Sequence, residues 1–296
     1  MRATVAVLGP GAVGGALAVH LSLAGQRVVC VARRETAEPI VANGLTLELG
    51  DKEATARPEV VELLDEPVDV LLVTVKAPAL DRALGRVSRE AVADGVVVSL
   101  LNGLEHVGTI RDRLGAKTAA GSISRFQAYR DGPAHIVQLT ETLVVTAASD
   151  DLASDELAAA LVPLAEAGVD LRVGASERAV LWEKAARLGP LAAVTALTQR
   201  SVGELLADPE WHATLMATIE ESCAVASADG VPISPADQWA LVEAMPGDLT
   251  TSTARDVAAG KPSELDAVAG AIVRAGRRHS VPTPVLDSLL AQLEGA

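Results

Sequence analysis

"TVAVLGPGAVGGALAVHLSLAG", residues 4–25, carries the pattern that decides the fold class. It opens with the apolar, β-branched residues of a short buried strand and continues with the apolar periodicity of a helix that Gly25 ends. Between them Gly9, Gly11 and Gly14 have G-x-G-x-x-G spacing, which permits a tight turn, close approach of backbone to a pyrophosphate, and packing of helix on strand. Glycine turns also occur for packing reasons alone, but the strand–turn–helix context favours a dinucleotide site at the start of the helix.

Three further apolar segments have the composition of buried strands. They cover residues 27–33, 68–76 and 95–103. Helical sequence at 78–87 separates two of them, and this alternation predicts an α/β fold with a Rossmann-type, mostly parallel sheet covered on both faces. Residues 45–49 alternate and predict an exposed antiparallel excursion, whereas residues 118–148 predict antiparallel strands that complete the sheet.

The second half of the chain consists of helices with recognisable start signals. These are Ser176, Ser234 before Pro235, Asp248 or Thr251, Ser263 before Glu264, and Thr283 before Pro284. An α/β half followed by an all-α half predicts two domains. Residues 1–174 are expected to bind the dinucleotide, and residues 175–296 to form a helical domain that carries the substrate and catalytic groups.

The composition restricts which binding partners and which cellular location we expect for this protein. The formal net charge of −14 argues against nucleic acid, because phosphate binding needs a basic face. No apolar run has the length of a membrane span, and the fixed glycine offsets near the N-terminus favour a dinucleotide turn over a signal peptide. Cys30 and Cys223 fit neither a disulfide framework nor a zinc site. We therefore expect no nucleic-acid or membrane partner, no metal, and a cytoplasmic location.

Two arginines follow the second predicted strand, in the motif VARRE. An NAD site usually has Asp or Glu here, which accepts a hydrogen bond from the ribose 2′-hydroxyl. Arg33 and Arg34 instead suit a 2′-phosphate, which guanidinium groups bind through paired charge-assisted hydrogen bonds. The alternative is that both are solvated loop charges, with Glu35 adjacent. The pattern favours NADP(H) as the cofactor.

Polar residues end the third and fourth predicted strands. Lys76 lies in VKAP and Asn102 in LLNGLE. Ligands of open parallel sheets bind at the carboxyl ends of strands, so both are candidate contacts of cofactor or substrate. Asn102 both donates and accepts hydrogen bonds, which suits a hydroxyl group. The alternatives are a surface charge and a simple Asn-Gly turn.

The helical half supplies candidates for the acid and its neighbours. Lys184 is one of five lysines in a chain with twenty arginines, and lysine releases a proton once it is desolvated, whereas arginine does not. On a helix it shares roughly one face with residues 177, 180, 181, 188, 191 and 195. Glu264 and Asp266 lie in a predicted first helical turn, and Ser252 lies near another helix start. Each candidate has a simpler alternative. Lys184 can lie along apolar surface with its charge in solvent, and Glu264 and Asp266 can simply be carboxylates that the helix dipole favours. The Ser252 hydroxyl can belong only to a helix start.

The chain resembles the 2-dehydropantoate 2-reductase (ketopantoate reductase) family over nearly its whole length. The resemblance rests on GPGAVGG, VKAP, LNG, LWEKAARLG, TSTARD, GKPSELD and VPTP. It implies an NADPH-binding Rossmann domain joined to a helical domain, with Lys184 as the essential acid, Glu264 beside it and Ser252 for the substrate carboxylate. It places Asn102 and Lys76 where cofactor and substrate meet. With the glycine turn and the two arginines, the candidate cofactor site comprises Gly9, Gly11, Ala12, Val13, Gly14, Arg33, Arg34, Lys76, Asn102 and Glu264.

The chain departs from the family where substrate is expected to bind. The family usually has Asn four and eight residues after the lysine, and this chain has Leu188 and Ala192. Leu286 replaces the common Asn after VPTP, and Pro190 is expected to kink the lysine helix. The substrate contacts at Leu188 and Ala192 are therefore expected to be apolar.

The leading hypothesis is an NADPH-dependent reductase of a small-molecule 2-oxo acid: ketopantoate, in pantothenate synthesis, or a bulkier, less polar relative. Burial should lower the pKa of Lys184, and Glu264 should raise it. One alternative is a ketone or imine reductase of secondary metabolism with an apolar pocket. Another is a non-catalytic NADP-sensing protein, which would have no need of the acid. A homodimer is a candidate assembly.

Overall fold

The computed structural model describes residues 2–295. Its contacts divide the chain into a first unit, formed by residues up to Leu101 with His106–Val180, and a second unit, formed by Asn102–Glu105 with residues from Leu181 onward. The division lies within the helix that begins at Glu177, rather than at 174/175. The first turn of that helix belongs with the first unit because the Glu177 carboxylate accepts hydrogen bonds from the Arg111 side chain and the Asp150 backbone.

The described strands are β1 (Thr4–Leu8), β2 (Arg27–Val31), β3 (Leu45–Leu49), β4 (Lys52–Ala56), β5 (Glu59–Val61), β6 (Val70–Val73), β7 (Val96–Ser99), β8 (Lys117–Ser124), β9 (Ala128–Arg130), β10 (His135–Gln138), β11 (Val144–Ala148) and β12 (Asp170–Val173). Within residues 2–295 they form an eight-stranded sheet in the order β12-β11-β8-β7-β6-β1-β2-β5 and a four-stranded sheet in the order β4-β3-β10-β9. In the larger sheet only the β8–β11 pair is antiparallel among the described pairs. The predicted Rossmann-type, mostly parallel sheet is confirmed.

Two expectations about the alternating segments were wrong in part. Strand β3 pairs antiparallel with β4, as expected, but it also pairs parallel with β10, and Leu45 and Leu47 are buried rather than exposed. Within residues 118–148, β8 and β11 do belong to the main sheet, whereas β9 and β10 belong to the smaller one. An alternating pattern shows that a strand is buried on one face, but it does not determine which strand it pairs with.

The helices of the first unit cover both faces of the larger sheet. They are α1 (Ala12–Leu23), α2 (Arg34–Asn43), α3 (Leu80–Leu84), α4 (His106–Leu114), α5 (Ser154–Ala160) and α6 (Val162–Glu166), with 3-10 turns at Ala77–Ala79 and Glu90–Val92. Alternate residues of the central strands enter two different cores: Val5 and Val7 of β1 belong to one, and Ala6 and Leu8 to the other. This burial on both faces explains the continuous apolar runs of the strands.

The second unit is helical and has its own apolar core. Its elements are α7 (Glu177–Thr198, which starts in the first unit), α8 (Val202–Ala207), α9 (Pro209–Ala228), α10 (Pro235–Glu243), α11 (Ser252–Ala258), a π-helix (Asp266–Gly270), α12 (Ala271–His279) and α13 (Pro284–Glu294). Helix α7 continues through Pro190 without interruption. Ser176, Ser234 and Thr251 accept backbone hydrogen bonds as predicted. None of the described helices is long and apolar enough to cross a bilayer.

Two predicted helix starts differ in detail. Thr283 precedes α13, but its hydroxyl donates to the Asp287 carboxylate instead of capping the helix backbone. After Ser263 the chain forms the π-helix before α12, rather than one regular helix. A π-turn inside a helix is uncommon and often marks a functional position.

Candidate functional site

The glycine turn between β1 and α1 has the close packing that its spacing predicts. Gly9 has φ +89°, and a Cβ built there would lie 2.4 Å from Cγ1 of Val75. A Cβ on Gly14 would lie 2.2 Å from Oγ1 of Thr74 and 2.6 Å from the Gly9 carbonyl oxygen. The Thr74 hydroxyl also donates to that carbonyl at 2.8 Å. Thr74 therefore holds the turn, a role that no local sequence motif indicated.

Gly11 differs from its two neighbours because its missing side chain leaves open space. It is the residue before α1, and the nearest atom to a Cβ built there is the Gly9 carbonyl oxygen at 3.9 Å. The backbone N–H groups of Ala12, Val13 and Gly14 follow in the first helical turn, where they have no acceptor within the helix. Open space beside such N–H groups fits an anion. It therefore suits the pyrophosphate of a dinucleotide.

Arg33 and Lys76 lie at the same edge of the sheet as the glycine turn. The last residue of β1, Leu8, pairs with the last residues of β2 and β6, and the Gly9 N–H donates to the Val31 carbonyl at 3.1 Å. Arg33 follows β2 and Lys76 follows β6, and both are exposed.

The two arginines after β2 have different partners. The Arg33 guanidinium has no side-chain partner among the described residues, whereas Nε of Arg34 donates to the Glu38 carboxylate at 2.7 Å. Arg33 is thus the more available of the two for a ligand.

Lys184, Glu264 and Asn102 come together in the second unit. Lys184 is half-buried on α7, and Glu264 is buried, with 8% of its surface exposed. Nδ2 of Asn102 donates to the Glu264 carboxylate at 3.1 Å. Burial lowers the pKa of Lys184, the Glu264 charge raises it and the Arg187 charge lowers it, and together they bring it to about 8. A lysine with a pKa near neutrality can both hold and release a proton under working conditions.

The backbone explains how Asn102 reaches Glu264. Gly103 has φ +111°, and a Cβ built there would lie 2.3 Å from the Ala267 carbonyl oxygen. The Asn-Gly turn therefore packs directly on the π-helix that follows Glu264. The chain bends at Asn102 and Gly103, and this bend brings the Asn102 side chain to the carboxylate.

Ser252 lies next to Thr251, a residue that contacts α7. Ser252 is exposed and is the first residue of α11, while Thr251 is the residue that caps the helix. Oγ1 of Thr251 lies 2.7 Å from Oγ1 of Thr195, on the α7 face that was predicted to carry Lys184. Ser252 as a substrate contact stays a prediction.

The two predicted apolar substrate contacts differ in exposure. Leu188 is half-buried and presents some surface, so its contact stays a prediction. Ala192 is fully buried, with 0% of its surface exposed, which argues against a direct contact with substrate. Helical spacing indicated the face on which Ala192 lies but not how closely neighbouring elements pack on it.

Arg187 lies three residues after Lys184 on α7. Its Nη1 donates to Oε1 of the buried Gln238 at 2.7 Å and to the Glu183 carbonyl at 3.2 Å. Burial lowers the pKa of Arg187, and the Glu183 charge raises it. Gln238 belongs to α10, and no spacing rule links it to α7.

Known families and structures match both units. The family model "Ketopantoate reductase PanE/ApbA" matches residues 5–150, and "Ketopantoate reductase PanE/ApbA C terminal" matches residues 178–296. The 2-dehydropantoate 2-reductase of Caulobacter vibrioides is 31% identical over 306 residues, covering 99% of each chain.

Two solved structures have the same fold. The PanE/ApbA family ketopantoate reductase of Ralstonia eutropha JMP134 is 30% identical with a TM-score of 0.87, covering 98% of this chain and 97% of that one. D-mandelate dehydrogenase, solved with NADH and anilino(oxo)acetate, has a TM-score of 0.89 at 23% identity, covering 99% of this chain and 97% of that one. At that identity the second likeness shows the fold alone. The chain therefore belongs to the ketopantoate reductase family, whose members are oxidoreductases that act on CH–OH groups with a nicotinamide cofactor.

Proposed function

We propose that this protein is an NADPH-dependent reductase that converts the keto group of a 2-oxo acid into a secondary alcohol. The substrate is ketopantoate or a less polar relative. The observation that carries the proposal is the Lys184 site, where a desolvated lysine with a pKa of about 8 lies in the field of a buried carboxylate. A sensor without turnover has no need of such a group.

Lys184 acts as the general acid. When bound, the nicotinamide cofactor supplies the hydride that reduces the keto carbon. The Lys184 ammonium donates a hydrogen bond to the keto oxygen, stabilises the negative charge that develops there and transfers its proton to it. Solvent then returns a proton to the lysine amine.

Glu264 and Asn102 place the ammonium and keep it charged. The carboxylate favours the protonated lysine, since its charge raises the Lys184 pKa against the effect of burial. Asn102 holds one oxygen of that carboxylate through its hydrogen bond. Glu264 therefore acts through Lys184, and its contact with the cofactor stays a prediction.

Arg33 and Arg34 give the preference for NADPH over NADH. Both are exposed at the carboxyl end of β2, near the open face of Gly11. A guanidinium there pairs with a 2′-phosphate and has nothing equivalent to bind in NADH. Lys76, at the end of β6, adds positive charge for the remaining phosphates.

The apolar side chain of Leu188 favours a second candidate function. Many relatives, such as that of Caulobacter vibrioides, are named 2-dehydropantoate 2-reductase, but an apolar side chain lies where the family usually has Asn. The fold is also that of D-mandelate dehydrogenase, which was solved with anilino(oxo)acetate. A ketone or imine reductase with an apolar pocket is therefore the alternative. A homodimer, a cytoplasmic location and a place in pantothenate synthesis stay predictions.

The test is NADPH consumption with a panel of ketopantoate, 2-oxoisovalerate, phenylglyoxylate and the neutral ketone acetophenone. We expect turnover of the 2-oxo acids, with the less polar ones at least as good as ketopantoate. Turnover of the neutral ketone alone would support the alternative, and NADPH binding without any turnover would support a sensor.

A further inference from the structure

Arg187 has one edge of its guanidinium bound by the protein and the other open. Both described hydrogen bonds of its side chain start from Nη1, which donates to Gln238 and to the Glu183 carbonyl. Nε and Nη2 have no acceptor among the described residues. No buried side-chain nitrogen of the described residues lacks a partner, so both atoms reach solvent-accessible space. The open Nε–Nη2 edge is one that binds a carboxylate with two parallel hydrogen bonds.

The environment of Arg187 is unusual for an arginine without an anion. The side chain is half-buried, and burial is the main influence on its pKa. Among the described residues no carboxylate forms an ion pair with it, although the chain carries 39 acidic residues against 25 basic ones. A buried charge is costly unless it is paired. An anionic ligand is the partner that this arrangement lacks.

Arg187 lies one helical turn after Lys184 on α7. Side chains three residues apart on a helix have Cβ atoms about 5–6 Å apart. Their charges interact, since Arg187 lowers the pKa of Lys184. In a 2-oxo acid the keto oxygen and the carboxylate are on adjacent carbons, so one donor for each must be close together. Lys184 and Arg187 meet that condition.

We propose that Arg187 binds the substrate carboxylate side-on through Nε and Nη2, with Gln238 fixing the orientation of the guanidinium. This inference rests on the proposed function, because it requires a 2-oxo acid whose keto oxygen lies at Lys184. Leu188, the next residue, then faces the substituent of the acid. The substrate class is thus a 2-oxo acid with an apolar substituent. Ser252 offers the carboxylate only one neutral hydrogen bond, so Arg187 is the residue that discriminates acids from neutral ketones.

The experiment compares a 2-oxo acid with its methyl ester. Parent, Arg187→Met and Arg187→Lys are assayed with phenylglyoxylate and methyl phenylglyoxylate at saturating NADPH. We expect Arg187→Met to raise KM for the acid about 10- to 100-fold, since a charge-assisted pair is lost, and to change KM for the ester little. Arg187→Lys keeps the positive charge but lacks the paired N–H groups of the guanidinium. Its KM for the acid should therefore lie between those of the parent and of Arg187→Met. Arg187→Lys also serves if the Met variant does not fold.

Two controls separate this idea from simpler ones. Arg178→Met removes the same charge from the exposed surface of the same helix and should leave the acid-to-ester preference at the parental value. Calorimetric titration with oxamate, an unreactive mimic of a 2-oxo acid, gives a readout without turnover. Oxamate should bind the NADPH-loaded parent and bind Arg187→Met at least about tenfold more weakly.

The outcomes also distinguish this inference from the proposed function. If the parent reduces 2-oxo acids and Arg187→Met keeps the parental acid-to-ester preference, the role of Arg187 is refuted while the proposed function stands. Loss of that preference in Ser252→Ala instead would assign the carboxylate to Ser252. If the parent reduces only neutral ketones and binds no oxamate, both proposals fail together.

Discussion

The glycine turn of the first unit and the lysine site of the second unit are built in opposite ways. Gly9, Gly11 and Gly14 lie within six residues of one another at the start of α1, and the groups proposed to bind the cofactor there are backbone N–H groups rather than side chains. The lysine site uses side chains, and Asn102 and Glu264 are 162 residues apart in sequence. The difference teaches that a short motif can indicate a backbone site directly, whereas a side-chain site depends on distant packing.

The largest expected effect is at the lysine site. Lys184→Ala should lower kcat about 10²- to 10⁴-fold, the usual effect of removing a positioned acid. Glu264→Ala should lose less, because it acts mainly through the placement and pKa of Lys184. Steady-state kinetics with 2-oxo acids measure both effects.

The control for this prediction is NADPH binding, which we assign to the glycine turn. Because the glycine turn and Lys184 belong to different units, Lys184→Ala should bind NADPH with parental affinity in a fluorescence titration. Loss of NADPH binding in Lys184→Ala would contradict the separation of the two roles. Glu264→Gln tests the direction of the pKa shift. Since the Glu264 charge raises the Lys184 pKa, its removal should lower that pKa. As the pH is raised, the activity of this variant should therefore begin to fall at a lower pH than that of the parent.

The second prediction contrasts two glycines of the turn. Gly14→Ala introduces a Cβ against Thr74 and the Gly9 carbonyl, so we expect a destabilisation of about 1–3 kcal/mol together with weaker NADPH binding. Gly11→Ala meets no protein atom closer than 3.9 Å and should retain a near-parental Tm, while its methyl group blocks the cofactor and raises the Kd for NADPH about tenfold or more. Thermal unfolding beside NADPH titration separates them. Equal losses of Tm in the two variants would refute the contrast.

A third, smaller effect concerns cofactor choice. Arg33→Ala should reduce the preference for NADPH over NADH about tenfold, since one charge-assisted contact is worth about 1.5–3 kcal/mol. Arg34→Ala should reduce it less, because Arg34 already pairs with Glu38. The ratio of kcat/KM for the two cofactors measures this. A parent that uses both equally well would remove the basis for the prediction.

The smallest effect is expected on the face of α7 that we propose to bind substrate. Leu188→Asn restores a polar group at a half-buried position and should raise kcat/KM for ketopantoate severalfold. Ala192→Asn places an amide in a fully buried site and should destabilise the fold instead, by about 1–3 kcal/mol. Kinetics and thermal unfolding of the two single variants test this. A folded, improved Ala192→Asn enzyme would show that residue 192 does face the substrate.

The same comparison explains how much could be predicted from sequence. The β1–turn–α1 unit was predictable because strand, glycine spacing and helix are local in sequence. The pairing of β3 with β10 was not, since period-two alternation carries no information about the partner strand.

At the lysine site, residue types indicated Lys184 and Glu264, but the Arg187–Gln238 hydrogen bond joins two helices, and Gly103 packs on Ala267 of a π-helix that is distant in sequence. Ala192 shows the limit of helical periodicity. Periodicity identifies a face of the helix, and only the packed structure shows whether that face is open.

The central claim, that Lys184 is the proton donor, is tested most directly by the pH dependence of kcat/KM for a 2-oxo acid in the parent and in Lys184→Arg. The acid form is the protonated lysine, and its pKa is about 8. The parental rate should therefore be level below that pH and fall about tenfold for each pH unit above it. Lys184→Arg should bind NADPH, lie at least about 10²-fold below the parent at neutral pH, and lack this fall, because arginine does not release its proton. Near-parental kcat/KM in Lys184→Arg, with an unchanged pH profile, would show that the lysine is only a positive charge.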